Sequence, residues 1–133
     1  MSTSAKEPTT KQLIERWENV LRVLRSLTPH QRKKHWDMRT WGMETECGTV
    51  ACAAGHCALD PWFQKRGFQG SMVQGSDCRV LAFNGDTFTR DCEVIQFFGS
   101  HGTSRIFLNQ NRRPVSAVIR EVRSHIKWLK EQL

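Results

Sequence analysis

The chain contains no apolar run approaching the roughly 20 residues that a membrane-spanning helix needs. Its first eight residues, Met1 to Pro8, hold no apolar segment of the kind that marks a secretory leader. The cysteine count is five, an odd number, whereas a secreted disulfide scaffold normally carries an even one. Paired C-x-x-C knuckles are missing, as are complete helix-turn-helix, RNA-recognition or zinc-finger patterns, internal repeats and low-complexity tracts. Together these absences predict a reduced, cytoplasmic protein with no membrane partner. Apolar residues make up 38% of the chain, below the globular average, so the core is expected to be thin. Acidic residues are also in short supply. Thirteen Asp and Glu stand against twenty Lys and Arg, a net charge of +7 that favours anionic partners.

What is present reads mainly as helix. Leu13, Trp17, Val20, Leu21, Leu24 and Leu27 recur at helical spacing and predict a helix over residues 10–27. Thr28 as N-cap before Pro29 opens a short second helix to residue 35, and residues 36–42 read as a loop anchored by Trp36 and Trp41. Residues 48–59 read as a central helix, stopped by Asp60-Pro61, and residues 62–67 as one more turn ending at Gly67. Short β-compatible runs at 71–74 and 79–83, around Gly75-Ser76-Asp77 and closed by Asn84-Gly85, predict a hairpin. A helix over 88–98 then ends at Gly99, a short helix follows from Thr103, and Pro114 opens the last helix, whose core stripe is Val115, Val118, Ile119, Val122, Ile126 and Leu129. The expected fold class is therefore mainly α: a compact domain of about five helices around a small-residue central helix, with a minor β-hairpin. Residues 1–9 are expected to be a flexible N-terminus and residues 10–133 a single helical domain.

The chemically unusual stretch is Glu46-Cys47-Gly48-Thr49-Val50-Ala51-Cys52-Ala53-Ala54-Gly55-His56-Cys57. Read as a helix, it places Gly48, Ala51, Cys52, Gly55, Ala58 and Leu59 on one small-residue face suited to close packing. Three readings stay open. Cys47, Cys52 and Cys57 are small core fillers, with His56 satisfied by a nearby carbonyl. Alternatively Cys52 and His56, four residues apart, chelate zinc with Cys47, taking a fourth ligand from Cys78, Cys92, His35 or His101. Or Cys47, at a helix start, is the nucleophile of a cysteine-dependent hydrolase, with His101 as base and Asn109 orienting it.

At this motif the chain resembles a family of small uncharacterised phage and bacterial proteins with a C-G-T-x-x-C-x-x-G-H core, here Cys47-Gly48-Thr49-Val50-Ala51-Cys52-Ala53-Ala54-Gly55-His56. The family's Trp-Gly element is matched by Trp41-Gly42, its Phe-Phe-Gly helix end by Phe97-Phe98-Gly99, and its Pro-entered closing helix by Pro114. The likeness covers residues 35–130 or so and implies a phage or mobile-element setting; no activity comes with it. One stretch departs from it: the family continues after Phe-Phe-Gly as an acidic helix, whereas Ser100 to Arg105 is neutral to basic here.

Two basic runs complete the reading, Arg32-Lys33-Lys34 and Arg112-Arg113. On the last helix Arg120, Arg123, Lys127 and Lys130 share one flank, and Trp128 projects away from the core stripe. An indole near cations suits stacking on a base or anchoring a protein interface. The expectation is a non-enzymatic basic binding module, a phage-type accessory protein that engages and inhibits a host macromolecule such as a defence or nucleic-acid-handling complex. Its partner is expected to be an acidic protein surface or nucleic acid, with no cofactor unless the zinc reading holds.

Overall fold

The computed structural model describes residues 7–46, 48–83, 92–108 and 112–133. The first helix, α1 (Thr10–Ser26), starts at a reciprocal cap in which the Thr9 hydroxyl accepts from the Gln12 N–H and the Gln12 side chain accepts from the Thr9 N–H. The same device, Thr28 with Gln31, starts α2 (Pro29–Lys34), where Pro29 costs nothing because its missing N–H falls in the unpaired first turn. Strands β1 (Gly42–Thr45) and β2 (Gly48–Ala51) lead into α3 (Ala53–Ala58) and α4 (Pro61–Lys65). Strands β3 (Ser71–Gln74) and β4 (Arg79–Ala82) precede α5 (Glu93–Phe98) and α6 (Ser100–Gly102). A π-helical turn (Thr103–Phe107) and the long α7 (Val115–Glu131) complete the chain.

The fold is mixed α and β, which corrects the expectation of a mainly helical domain with a minor hairpin. The expected hairpin is present as β3 and β4, but it is half of a four-stranded antiparallel sheet of order β2-β1-β4-β3. The other half comes from residues read as loop and as central helix. Gly42 pairs with Ala51 and Thr45 with Gly48, so residues 48–51 are strand and the helix begins only after Cys52. The physical reason is local. Thr49 and Val50 are β-branched and favour the extended backbone, and Gly48 adopts a φ of +111° that a side chain would resist. The free edge of β2 is covered by the chain after α2, where Ala51 N–H donates to His35 O and Asp37 N–H to Ala51 O.

The expected small-residue face of a helix over 48–59 does not form, since Gly48 and Ala51 are strand, Cys52 is the N-cap and Leu59 is exposed, but Gly55 does allow a close approach. A methyl group on Gly55 would lie 1.7 Å from the Trp41 carbonyl oxygen, so the helix abuts the backbone entering β1. Of the helix expected over 88–98, Glu93–Phe98 forms α5, and the part before residue 92, with Asn84-Gly85, lies outside the described residues. Among the described residues no helix is long and apolar enough to cross a membrane.

The core gathers on Trp17 of α1, which is fully buried. Its indole N–H donates to Phe98 O at 3.0 Å, and its ring packs on Phe98, Phe107 and His125 at 5.2, 5.0 and 4.9 Å. The indole fits because Gly102 has no side chain: a Cβ there would sit 2.4 Å from the Trp17 ring and 2.6 Å from His125 Nε2. Gly102 has ordinary helical dihedrals, so alanine would gain up to about 1 kcal/mol of helix propensity. The overlap with two buried rings outweighs that gain. Gly102→Ala is expected to destabilise the fold by about 1–3 kcal/mol, read as a lowered urea midpoint; an unchanged or raised midpoint would show that the indole has room to move.

Candidate functional site

The thiol-rich segment is a strand, a cap and a short helix. Cys52 is the N-cap of α3, and its Sγ lies 3.9 Å from Trp41 O with the Ala54 and Gly55 N–H groups turned toward it. Burial pushes this thiol up to about 11; the two amides favour the thiolate but do not offset the loss of water. Cys57 is wholly buried and burial raises it well above the ordinary value too. His56 is held with Nε2 at 2.8 Å from His35 O and its ring stacked on Trp36, and burial lowers its proton affinity. His35 is fixed in turn, with Nδ1 at 3.0 Å from Thr49 O.

Among the described residues no three His, Cys, Asp or Glu side chains are grouped closely enough to share a metal ion. Cys52 and His56 each face a backbone group instead of a common point. Cys47 and Asn109, on which the hydrolase reading depends, lie outside the described residues, and so does the Cys47 contribution to the zinc reading. His101, the expected base, is exposed and stacked on Trp128 at 4.4 Å. The histidine beside Gly48 is His35, whose ring carbon would lie 3.1 Å from a Cβ at that position. Cys92 is buried as the N-cap of α5, and Cys78 is half-buried in the turn before β4.

A thiol with a pKa of about 11 is ionised at pH 7 only to about one part in ten thousand. Iodoacetamide mapped by peptide mass spectrometry is therefore expected to modify Cys78 well before Cys52, Cys57 or Cys92. Rapid labelling of Cys52 in the native protein would overturn this account of the buried motif.

The two flanks of α7 differ. Arg120, Arg123, Lys127 and Lys130 are exposed on one side of the core stripe. Arg123, Lys127, Lys130 and Glu131, with Ile126 and with Glu18 and Leu21 of α1, bound a groove of about 470 Å³. Lys130 reaches Glu18 across it at 3.7 Å. Trp128 lies on the other flank, against His101 and His125 at 4.4 and 5.6 Å, so it is not part of the cationic surface it was expected to join.

The two basic runs are only partly free. Arg32 closes the end of α1, donating to Leu27 O and Leu24 O, while Lys33 and Lys34 are exposed. Arg113 pairs with Glu121 and donates to Ile106 O at 2.7 Å, which ties the entry of α7 to the π-helical turn. Arg112 is exposed beside it. Trp36 joins the two runs, its indole N–H donating to Arg113 O at 2.8 Å.

Sequence reasoning missed two features of this region. Leu21 and Ile126 take the core positions expected of them, Ile126 buried and Leu21 half-buried against the core, and both also line the floor of the groove. His125 went unremarked, although its spacing from Val118, Val122 and Leu129 places it within the α7 core stripe. It is 1% exposed, its Nδ1 has no hydrogen-bond partner among the described residues, and burial with the nearby charges of His101 and Arg105 lowers its pKa to about 4. The unfolded chain takes up a proton near the ordinary value of 6.5, so between there and about 4 it binds more protons than the native state. His125 therefore makes stability fall as pH drops through that window, by up to about 3 kcal/mol. The fall in urea midpoint between pH 7 and pH 4.5 is expected to be smaller in His125→Phe than in the parent; an equal fall would place the acid sensitivity elsewhere.

Comparison with protein-family models, with curated proteins and with solved structures found no match to this chain.

Proposed function

We propose that this protein is a non-enzymatic binding module that engages an anionic macromolecule through the basic flank of α7. One observation carries the reading: Arg120, Arg123, Lys127 and Lys130 are exposed together on a helix whose opposite side is locked into the core, and only Lys130 has an ion-pair partner among the described residues. A rigid helix holding cations at this spacing loses little entropy when it docks. The resemblance at the thiol motif adds a setting, a phage-type accessory protein acting on a host defence or nucleic-acid-handling complex in the cytoplasm. The buried thiols then serve as core beneath that surface rather than as chemistry.

The partner class is an acidic protein face or nucleic acid. Fluorescence anisotropy with labelled polyglutamate and with a mixed-sequence DNA duplex tests the reading. At least one probe is expected to bind with an affinity that falls steeply with salt. The triple variant Arg120→Glu, Arg123→Glu, Lys127→Glu should lose at least tenfold, with circular dichroism and thermal midpoint unchanged. A control of equal charge change elsewhere, Lys11→Glu, Lys65→Glu, Arg66→Glu, should lose much less. Equal losses in the two variants would reduce the effect to net charge and remove the α7 flank as the site.

A further inference from the structure

We infer that the groove between α1 and α7 is a docking site for an acidic amphipathic helix of a partner protein. This inference rests on the anionic-partner reading above and names the occupant. The groove follows the seam of two packed helices, which contribute Glu18 and Leu21 at i, i+3 and Arg123, Ile126, Lys127 and Lys130 at i, i+3, i+4, i+7. Those spacings present one continuous helical face on each side, the geometry into which a third helix packs by ridges and grooves.

Charge decides what kind of helix fits. Arg25 follows Leu21 by four residues and Glu18 by seven, so it shares their face of α1, and it is exposed. Arg120 continues the opposite rim by one turn beyond Arg123. Three cations, Arg123, Lys127 and Lys130, line the groove with two carboxylates, Glu18 and Glu131, and the exposed Arg25 and Arg120 add two more cations one turn farther along their helices. Glu18 already engages Lys130, which leaves the positive excess toward the Arg25 and Arg120 end. From Arg120 to Lys130 the rim runs about 15 Å, the length of about ten helical residues.

The floor separates a protein helix from the other anions. Phosphate tracking on a nucleic acid uses the cations and leaves the apolar floor, the half-buried Leu21 beside the buried Ile126, without a partner, whereas a helix with an apolar stripe and acidic margins engages both floor and rim. A second copy of the chain is disfavoured because each copy carries +7 and would meet a surface of its own sign.

The experiment uses the full chain and a fluorescein-labelled amphipathic peptide of about fourteen residues with Leu at i, i+3, i+7 and Glu on both margins. Its comparators are a peptide of the same composition with the Leu positions scattered and a DNA duplex of mixed sequence. The amphipathic peptide is expected to bind at least tenfold more tightly than the scattered one. Binding should weaken at least tenfold in Leu21→Ser, which replaces the open part of the floor with a hydroxyl, and in Arg123→Glu with Lys127→Glu, which reverses the rim and sits on the exposed surface. Circular dichroism of both variants confirms that each is folded. Equal binding of the two peptides, with only the rim variant impaired, would overturn the helix-docking proposal and leave the anionic-partner reading standing. Tighter binding of the duplex, insensitive to Leu21→Ser, would overturn it in favour of nucleic acid. Binding of no probe at all would remove both readings.

Discussion

The burial of Trp17 is the constraint on which the arrangement of the helices depends. Its indole lies in the path of three other segments, and each accommodates it differently. The end of α5 supplies a carbonyl for the indole N–H, so the polar edge is not stranded in the core. The following segment supplies Gly102, the one residue type that lets the chain pass at that distance, and Phe107, stacked on the ring. α7 supplies His125, edge-on at 4.9 Å. A buried aromatic of this size contributes several kcal/mol through area alone. The π-helical turn follows directly after Gly102, where the chain must pass the indole and still bring Ile106 and Phe107 into the core.

α7 acquires its two unlike flanks from the same constraint. With the core stripe held against α1 and His125 against Trp17, the rotation of α7 about its axis is set. The cations then fall on the outer side of the α1 seam, and Trp128 falls on the α6 side against His101. Several cations elsewhere are engaged by the fold. Arg32 caps α1, Arg113 anchors the entry of α7, Arg16 covers Phe97 and donates to its carbonyl, and Arg22 makes a two-pronged pair with Asp60. The basic character of the surface is therefore less uniform than the net charge of +7 implies, and the α7 flank stands out because four exposed cations gather on one helix face.

The sequence made some of this legible. Helices α1, α2 and α7 announce themselves through period 3.6 and through Thr-Pro and Pro entries, and the β3–β4 pair through its turn residues. The first hairpin did not, because β1 and β2 show no apolar alternation: their residues are mostly half-exposed, and only Gly42 and Ala51 are buried. The small residues of 48–58 satisfied a helical projection equally well, and the deciding signals were two that the projection ignores, the β-branched Thr49-Val50 pair and a glycine able to take positive φ. The cationic stripe was legible as a set of helical positions, but its relation to Trp128 was misread. Distance from the core centre is the same on both flanks of a helix, so two residues can both point away from the core and still face apart.

The thiol motif shows how burial can reverse a local electrostatic expectation. A cysteine at the head of a helix meets free N–H groups, and in a solvated site these lower its pKa and make it nucleophilic. Cys52 has that placement, with the Ala54 and Gly55 amides directed at its sulfur, yet the group sits above the ordinary thiol range at about 11. α3 has only six residues, so its dipole is small, while Cys52 is 1% exposed and its sulfur donates to the Trp41 carbonyl. A thiol there acts as a compact apolar cap that donates weakly to Trp41 O and lets α3 approach β1 within the space left by Gly55. The spacing of Cys52, Gly55 and His56 follows from that packing: one residue faces the Trp41 backbone, the next lets it come close, and the third binds the His35 carbonyl, which also accepts the amide of Ala51 at the edge of β2. These contacts join sheet, α3 and the chain after α2, and the residue types of Cys52, Gly55 and His56 are accounted for by the joint itself.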